Sequence, residues 1–377
     1  MDRPTLRRAR ADPGPIRLVR GGRCDRILAF CTRAAFLPIR VNQIPILVAL
    51  LLLAGPAQAR TAEAEPGNGS RGSFNFLFEN DIFGAQGSDR HYTQGLRLSW
   101  LTPEERVWNW VRSGARKLPF YPRGGRLRAT YSAGQNLYTP EDIRTSDLVV
   151  DDRPYAAWLY LAAGLVADTG RSLDLVEFSL GVVGPSALGE ELQSWFHALI
   201  ASPDPQGWHH QLHDELTVQL FYERKWRKLW APAWLDGIGL ETEVTPHVGA
   251  ALGNVFVQAA TGGTLRFGND LPADYGAPRI RPSLPGSEFF VPATRFSAYA
   301  FAGLEVRGVA HNIFLDGNTF GSSHSVEKNP IVGDFQGGLA IVIVDVRLAF
   351  TYVYRTPEFE LQNEPDRFGA ITFSARF

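Results

Sequence analysis

The chain has 377 residues, 45% of them apolar, 12% aromatic and 20% charged, with a formal net charge of −1. This is enough apolar chain for a large core, which excludes a disordered chain or a disulfide-stapled miniature domain. Residues 1–59 hold ten of the 38 basic side chains and three of the 39 acidic ones; the remainder carries 28 basic against 36 acidic, a net of −8, and so offers no nucleic-acid footprint.

The front end reads as an address. Residues 44–54 (IPILVALLLLA) are an unbroken apolar run, too short to span a bilayer as a helix of ~20 residues. Arg33 and Arg40 precede it, and Ala57-Gln58-Ala59 follows as a cleavage signal. A presequence over 1–59 with its signal-peptide core at 44–54 is therefore expected, with the exported chain starting near Arg60. The competing reading is a buried core helix, but nothing amphipathic surrounds the run. Because the lead is long and Arg-rich, translation is expected to start among the Val and Leu positions of 18–28. Both cysteines, Cys24 and Cys31, fall in the presequence, so the exported part does not rely on disulfides.

After a short lead at 60–72, the body over 73–377 alternates with a period of two. In 73–81, Phe74, Phe76 and Phe78 share one face, and Asn75, Glu79 and Asp81 the other. In 93–100, Leu96, Leu98 and Trp100 oppose Thr93, Arg97 and Ser99. The pattern recurs at 128–138, 156–164, 173–184, 216–226, 240–252, 255–267, 295–313, 331–343, 346–354 and 369–377. Such alternation means strands between two different environments. A secreted sandwich would turn the polar face out; an outer-membrane barrel turns the apolar face out and ends its strands in aromatic girdles. The even count favours a twelve-stranded antiparallel transmembrane β-barrel. So does the last strand, where Phe377 follows Ala375, Phe373 and Ile371 at two-residue steps. That ending resembles the signal that outer-membrane barrels present to their assembly machinery. With both termini periplasmic, the segments 82–92, 139–155, 185–215, a turn near 253, 314–330 and 355–368 face the cell exterior.

Unusual residues cluster in the first three of these loops. Strict alternation puts Asp81 and Thr93 on the polar face of adjacent strands near one rim, where a carboxylate can hold a hard cation or orient a base. A polar strand end joined by a turn explains them equally well. Asn80 would face lipid unless the strand bulges or ends there, as is expected. Residues 185–199 form an amphipathic helix in an extracellular loop, started by Pro185 and Ser186. Leu188, Leu192, Trp195, Phe196 and Leu199 line one side, and Glu190, Gln193 and His197 the other. His197 is either a base ready to take a proton or a solvated histidine on a polar face. His209, His210 and His213 tempt a zinc reading, but the spacing lacks a carboxylate scaffold. A loop re-entering the sixth strand, with Trp208 at the membrane interface, accounts for them better. No G-x-S-x-G elbow, H-E-x-x-H helix or P-loop is present in the sequence.

Asn80-Asp81, Tyr92-Thr93-x-Gly95-Leu96, Tyr138-Thr139-Pro140, Gly184-Pro185-x-Ala187-x-Gly189 with Gln193 and His197, and Gly207-Trp208-x-x-Gln211 resemble the lipid A 3'-O-deacylase (LpxR) family of Gram-negative outer membranes. The similarity runs from about residue 73 to the C-terminus and is densest over 73–215. It implies a twelve-stranded, calcium-dependent barrel that removes the 3'-linked acyloxyacyl group from lipid A, or lipopolysaccharide, amid the lipids of the outer membrane. By motif, it makes His197 the base that activates water, with Asp81, Asn80 and Thr93 completing the site and Asp81 the carboxylate linked to Ca²⁺. Gln193 and Arg144 are the implied substrate contacts. Arg144 stands in for a lysine that the second outward loop lacks, while Lys225 and Lys228 fall toward the periplasmic end. An outer-membrane phospholipase would need a serine beside a histidine on one strand. A small pore or structural barrel would need neither His197 nor Asp81.

Overall fold

The computed structural model describes residues 71–84, 90–117, 125–230, 239–276, 278–280 and 287–377. The expected presequence, with its apolar run and cleavage signal, lies outside the described residues.

Each of the alternating runs forms a strand. They are β1 (Ser73–Asn80), β2 (His91–Leu101), β3 (Arg126–Thr139), β4 (Ala156–Asp168), β5 (Ser172–Val183), β6 (Glu215–Trp226), β7 (Glu241–Gly253), β8 (Phe256–Asn269), β9 (Phe296–Asn312), β10 (Ile331–Ile343), β11 (Val346–Arg355) and β12 (Asp366–Arg376). Every strand pairs antiparallel with its chain neighbours, and β1 pairs with β12 to close the cylinder. Closure leaves no open edge. Phe74, Phe76, Leu98, Leu161 and Phe350 are exposed on the outside, whereas Asn75, Glu79, Arg97 and Ser99 are buried within. The outer wall is therefore apolar, as a lipid-facing barrel requires and a soluble sandwich does not. Among the described residues no helix is long and apolar enough to cross a membrane. Among the described residues three short helices sit between strands: α1 (Asn109–Ala115), α2 (Gly189–Ile200) and α3 (Ile313–Asp316).

The interior is filled with buried charged pairs and with clusters of aromatic rings such as Tyr92, Trp158, Phe256 and Phe314. Part of the β8–β9 connection folds back into the lumen, which the strand pattern does not announce. Asp274 accepts from Arg266 and from Arg347, the latter at 2.5 Å, and Tyr275 donates to Asp168 at 2.8 Å. Glu288 accepts from Arg97 at 2.9 Å, and Arg279 reaches Glu79 at 3.1 Å. Breaking a buried pair leaves an uncompensated charge and costs about 3–5 kcal/mol. Asp274→Ala is thus expected to lower the urea midpoint of the refolded barrel by that much stability; an unshifted midpoint would show that the segment does not brace the wall.

Candidate active site

Partners across an antiparallel ladder point to the same face, so the register arranges outer-wall side chains in rows. Ala157, Leu137, Gln94, Asn80 and Gly369 form one row across β4, β3, β2, β1 and β12 near the rim where the odd-numbered strands end. A step farther from that rim lie Leu159, Gln135, Leu96, Phe78 and Ile371. Outward-facing residues on a barrel should be open to lipid. Yet Ala157, Leu137, Gln94 and Asn80 are at most 2% exposed.

Leu137 and Ala157 pack in one cluster with Trp208 and Ala187, and helix α2 crosses this part of the wall. Its first residue, Gly189, presses on Ala157 and Trp208, and a Cβ there would lie 2.5 Å from the Ala157 Cβ. Near its other end the Phe196 ring meets Phe78, with centroids 6.0 Å apart. The eight steps from Gly189 to His197 span ~12 Å at ~1.5 Å each, or between two and three strands at ~4.8 Å. His197 therefore reaches the stretch of wall that carries Gln94 and Asn80.

The helix turns Gln193 and His197 inward together with Leu192 and Phe196, while Glu190 of the polar side stays exposed. Gln193 and His197 are buried, whereas Leu188, Trp195 and Leu199 are exposed. The expected amphipathic helix is present, but it starts at Gly189 rather than Pro185. Residues Pro185–Ala187 make a separate 3-10 turn, and Leu188 breaks the run with a φ of 57°. An apolar face turned outward is sensible only where lipid replaces water.

Hydrogen bonds orient the inward side chains. The Nδ1 of His197 lies 2.5 Å from the carbonyl oxygen of Pro203. A carbonyl can only accept, so Nδ1 carries the proton and Nε2 is the basic nitrogen. Ala201, at a φ of 56°, ends the helix and brings Pro203 beneath the ring. Gln193, one turn before His197, accepts through Oε1 from the Trp208 indole at 2.8 Å. Trp208 is fully buried beside Tyr155. The expectation that Trp208 sits at the membrane interface is thus overturned: its indole needs a partner and finds it beneath α2. No sequence periodicity marks that role, although the Gly207-Trp208 pair is its trace.

At the end of β1 the strand stops at Asn80, as expected. Asn80 still faces outward by register and is buried, and its Oδ1 accepts from the Ile82 N–H at 2.9 Å, leaving Nδ2 as a donor. Asp81 opens the 3-10 turn Asp81–Gly84, and its Oδ2 accepts from the Arg90 N–H at 2.7 Å. Thr93 departs from strict alternation. The β2–β3 register shifts between Tyr92 and Gln94, so Thr93 is the extra residue of a bulge. Its hydroxyl meets that of Thr139, on the outer face of β3, at 2.8 Å. The polar-face position shared with Arg97 is thereby corrected: the bulge takes Thr93 from the lumen side to the outer wall. Thr139, part of the Tyr138-Thr139-Pro140 motif, joins the patch, and so does Gln94, which no motif had marked.

Just inside the wall, Arg90 and His91 tie the rim loops together. Arg90 pairs with Glu141 at 2.9 Å and Glu364 at 3.3 Å; His91 lies between Asp366 at 2.6 Å and Asp152 at 3.4 Å. Burial pushes the Asp152 carboxyl up, but its bonds to His91 and to the backbone N–H groups of Glu141 and Arg153 hold it below the usual carboxylate range. Arg144 is not drawn in. It stands exposed in the β3–β4 loop beside Asp142. Among the described residues no group of three His, Cys, Asp or Glu forms a metal cluster, the three histidines at 209, 210 and 213 included. The donors near the end of β1 are instead all oxygens: the Asp81 carboxylate, the Asn80 amide and the Thr93 and Thr139 hydroxyls. That set suits a hard cation in kind.

The family model for outer membrane protein LpxR matches residues 46–377. The solved structure of LpxR from Salmonella typhimurium is similar at 21% identity and a TM-score of 0.65, covering 81% of this chain and all of that one. The β domain of the Bordetella autotransporter BrkA, at 11% identity, covers 81% of this chain and 99% of that one, with a TM-score of 0.39. No curated protein sequence matches. Closed antiparallel barrel, apolar outer wall and family match agree, and the chain belongs to the outer membrane protein LpxR family.

Proposed function

We propose that this outer-membrane barrel is a lipid A deacylase that hydrolyses the 3'-linked acyloxyacyl ester, with its helix-bearing rim in the outer leaflet. The observation that carries this reading is the position of His197, clamped with a fixed tautomer between α2 and the lipid-facing wall. A base buried on the outside of a barrel suits a substrate that is itself a membrane lipid. The filled lumen speaks against a pore.

In this reading His197 Nε2 takes a proton from water as the water oxygen attacks the ester carbonyl carbon. Asn80 Nδ2 donates to the carbonyl oxygen as it becomes negative. Collapse breaks the bond to the sugar 3'-oxygen, which receives the proton from His197. The products are the acyloxyacyl acid and a free 3'-hydroxyl. Gln193, anchored by Trp208, holds α2 at the working distance. Calcium, with Asp81 as its carboxylate ligand, supplies positive charge at the ester carbonyl when bound. Phe377, on the outward side of the last turn of chain, serves as the signal read by the barrel-assembly machinery.

The test is the lipid A mass spectrum of a Gram-negative host expressing the chain. Loss of the 3'-acyloxyacyl unit is expected, and chelation of calcium or Asp81→Asn should restore the parent mass. An unchanged spectrum with cleaved phospholipids would assign the barrel to phospholipase chemistry instead.

A further inference from the structure

Beyond the end of α2 the outer wall continues as an uncovered aromatic floor. Phe78 contacts Phe83 at 5.9 Å between centroids, and Phe83 contacts Phe350 at 6.1 Å, each edge to face. Phe83 lies on this wall because Gly369 makes room for it: a Cβ there would fall 2.5 Å from the Phe83 Cβ. The floor thus runs from β1 across β12 to β11, beginning at the ring that Phe196 touches beside His197.

Among the described residues, Arg367 is the cation beside this floor. Arg367 is on the outward face of β12, two residues rimward of Gly369, paired with Tyr354 and with its guanidinium 6.0 Å from the Tyr354 ring centroid. It is exposed, and among the described residues it has no carboxylate partner. The turn that carries Asp81 packs on its backbone, since a Cβ at Gly84 would lie 2.0 Å from the Arg367 carbonyl oxygen. Gly369 pairs with Asn80, so two residues along and one strand across put the Arg367 Cα about 8 Å from that of Asn80. An unpaired cation on a lipid-facing wall is costly unless an anion of the membrane meets it.

We infer that Arg367 is the phosphate anchor of the lipid substrate, and that Phe78, Phe83 and Phe350 are the bed for an acyl chain of the same molecule. The assignment rests on the lipid A reading and deepens it. In lipid A a phosphate is borne by the ring carbon next to the one carrying the 3'-acyl group, so both must fit within one side-chain length of the reacting ester. Arg367 meets that requirement from the wall itself. Arg144 does not: it stands exposed in the β3–β4 loop, beside Asp142.

The test uses the full barrel refolded in detergent micelles with two substrates, lipid A carrying the phosphate adjacent to the 3'-ester and lipid A from which that phosphate has been removed. The wild type is expected to favour the phosphorylated form in kcat/KM by tenfold or more. Arg367→Gln should erase that preference through KM, leaving the dephosphorylated substrate unaffected, while Arg367→Lys keeps part of it and Arg144→Gln keeps all of it. A wild-type preference retained in Arg367→Gln overturns the assignment. Should the wild type hydrolyse neither substrate, the deacylase reading fails separately, and retention of phosphorylated lipid A by the wild type against Arg367→Gln in native mass spectrometry still decides the anchor. If the Gln variant does not fold, the Lys variant carries the comparison, and an unreduced preference there together with loss in Arg144→Gln rejects the proposal.

Discussion

Replacing His197 with alanine is expected to reduce turnover by about 10²–10⁴-fold, the usual contribution of a positioned general base. The loss should appear in kcat, because the substrate is held by the wall and the aromatic floor rather than by the imidazole. His197→Gln should be as inactive, since an amide keeps a polar group near Pro203 but cannot take up a proton at neutral pH. The check is single-turnover hydrolysis by refolded protein, with the thermal melt of each variant measured alongside. Turnover within a few-fold of wild type, in a folded barrel, would remove His197 from the chemistry.

Trp208→Ala is expected to be the second large effect, and for a different reason. Trp208 is a large side chain buried against Gly189, Tyr155 and Gln193, at the point where α2 meets the wall. Its deletion costs about 3–5 kcal/mol of local packing and removes the bond that orients Gln193. The barrel itself rests on strand pairing elsewhere, so α2 should lift while the cylinder persists. Trp208→Phe keeps most of the ring and loses only the hydrogen bond, worth about 1 kcal/mol. Activity should therefore fall steeply in the alanine variant and modestly in the phenylalanine one. Faster proteolysis within Gly189–Ile200 should accompany the loss, with the barrel core still resistant. An alanine variant as active and as protease-resistant as wild type would mean that α2 is seated by other contacts.

The strands were legible because each one separates two environments. The alternation of Phe74, Phe76 and Phe78 against Asn75 and Glu79 is a local signal, since successive side chains on a strand must point to opposite faces. The helix with Gln193 and His197 was legible for the same kind of reason. Thr93 was misread because a bulge depends on how β2 meets β3, and one strand's pattern does not contain its partner's register. Trp208 was misread because a tryptophan after a glycine looks the same at a membrane interface and beneath a docked helix. Its burial follows from contacts with Gln193 and Tyr155, each many residues away.

By itself the sequence determined that this chain is a β-barrel with a helix in one rim loop, and its motifs indicated which residues to watch. Only the tertiary structure decided that the helix lies on the outer wall with Gln193 and His197 inward, and that part of the β8–β9 connection folds into the lumen. Only it put Arg367 and the row of phenylalanines beside Asn80. The physical reason is range: periodicity is written residue by residue, whereas a site on a closed cylinder is assembled from the first, second, third and last strands, which meet only after the sheet has joined its own ends.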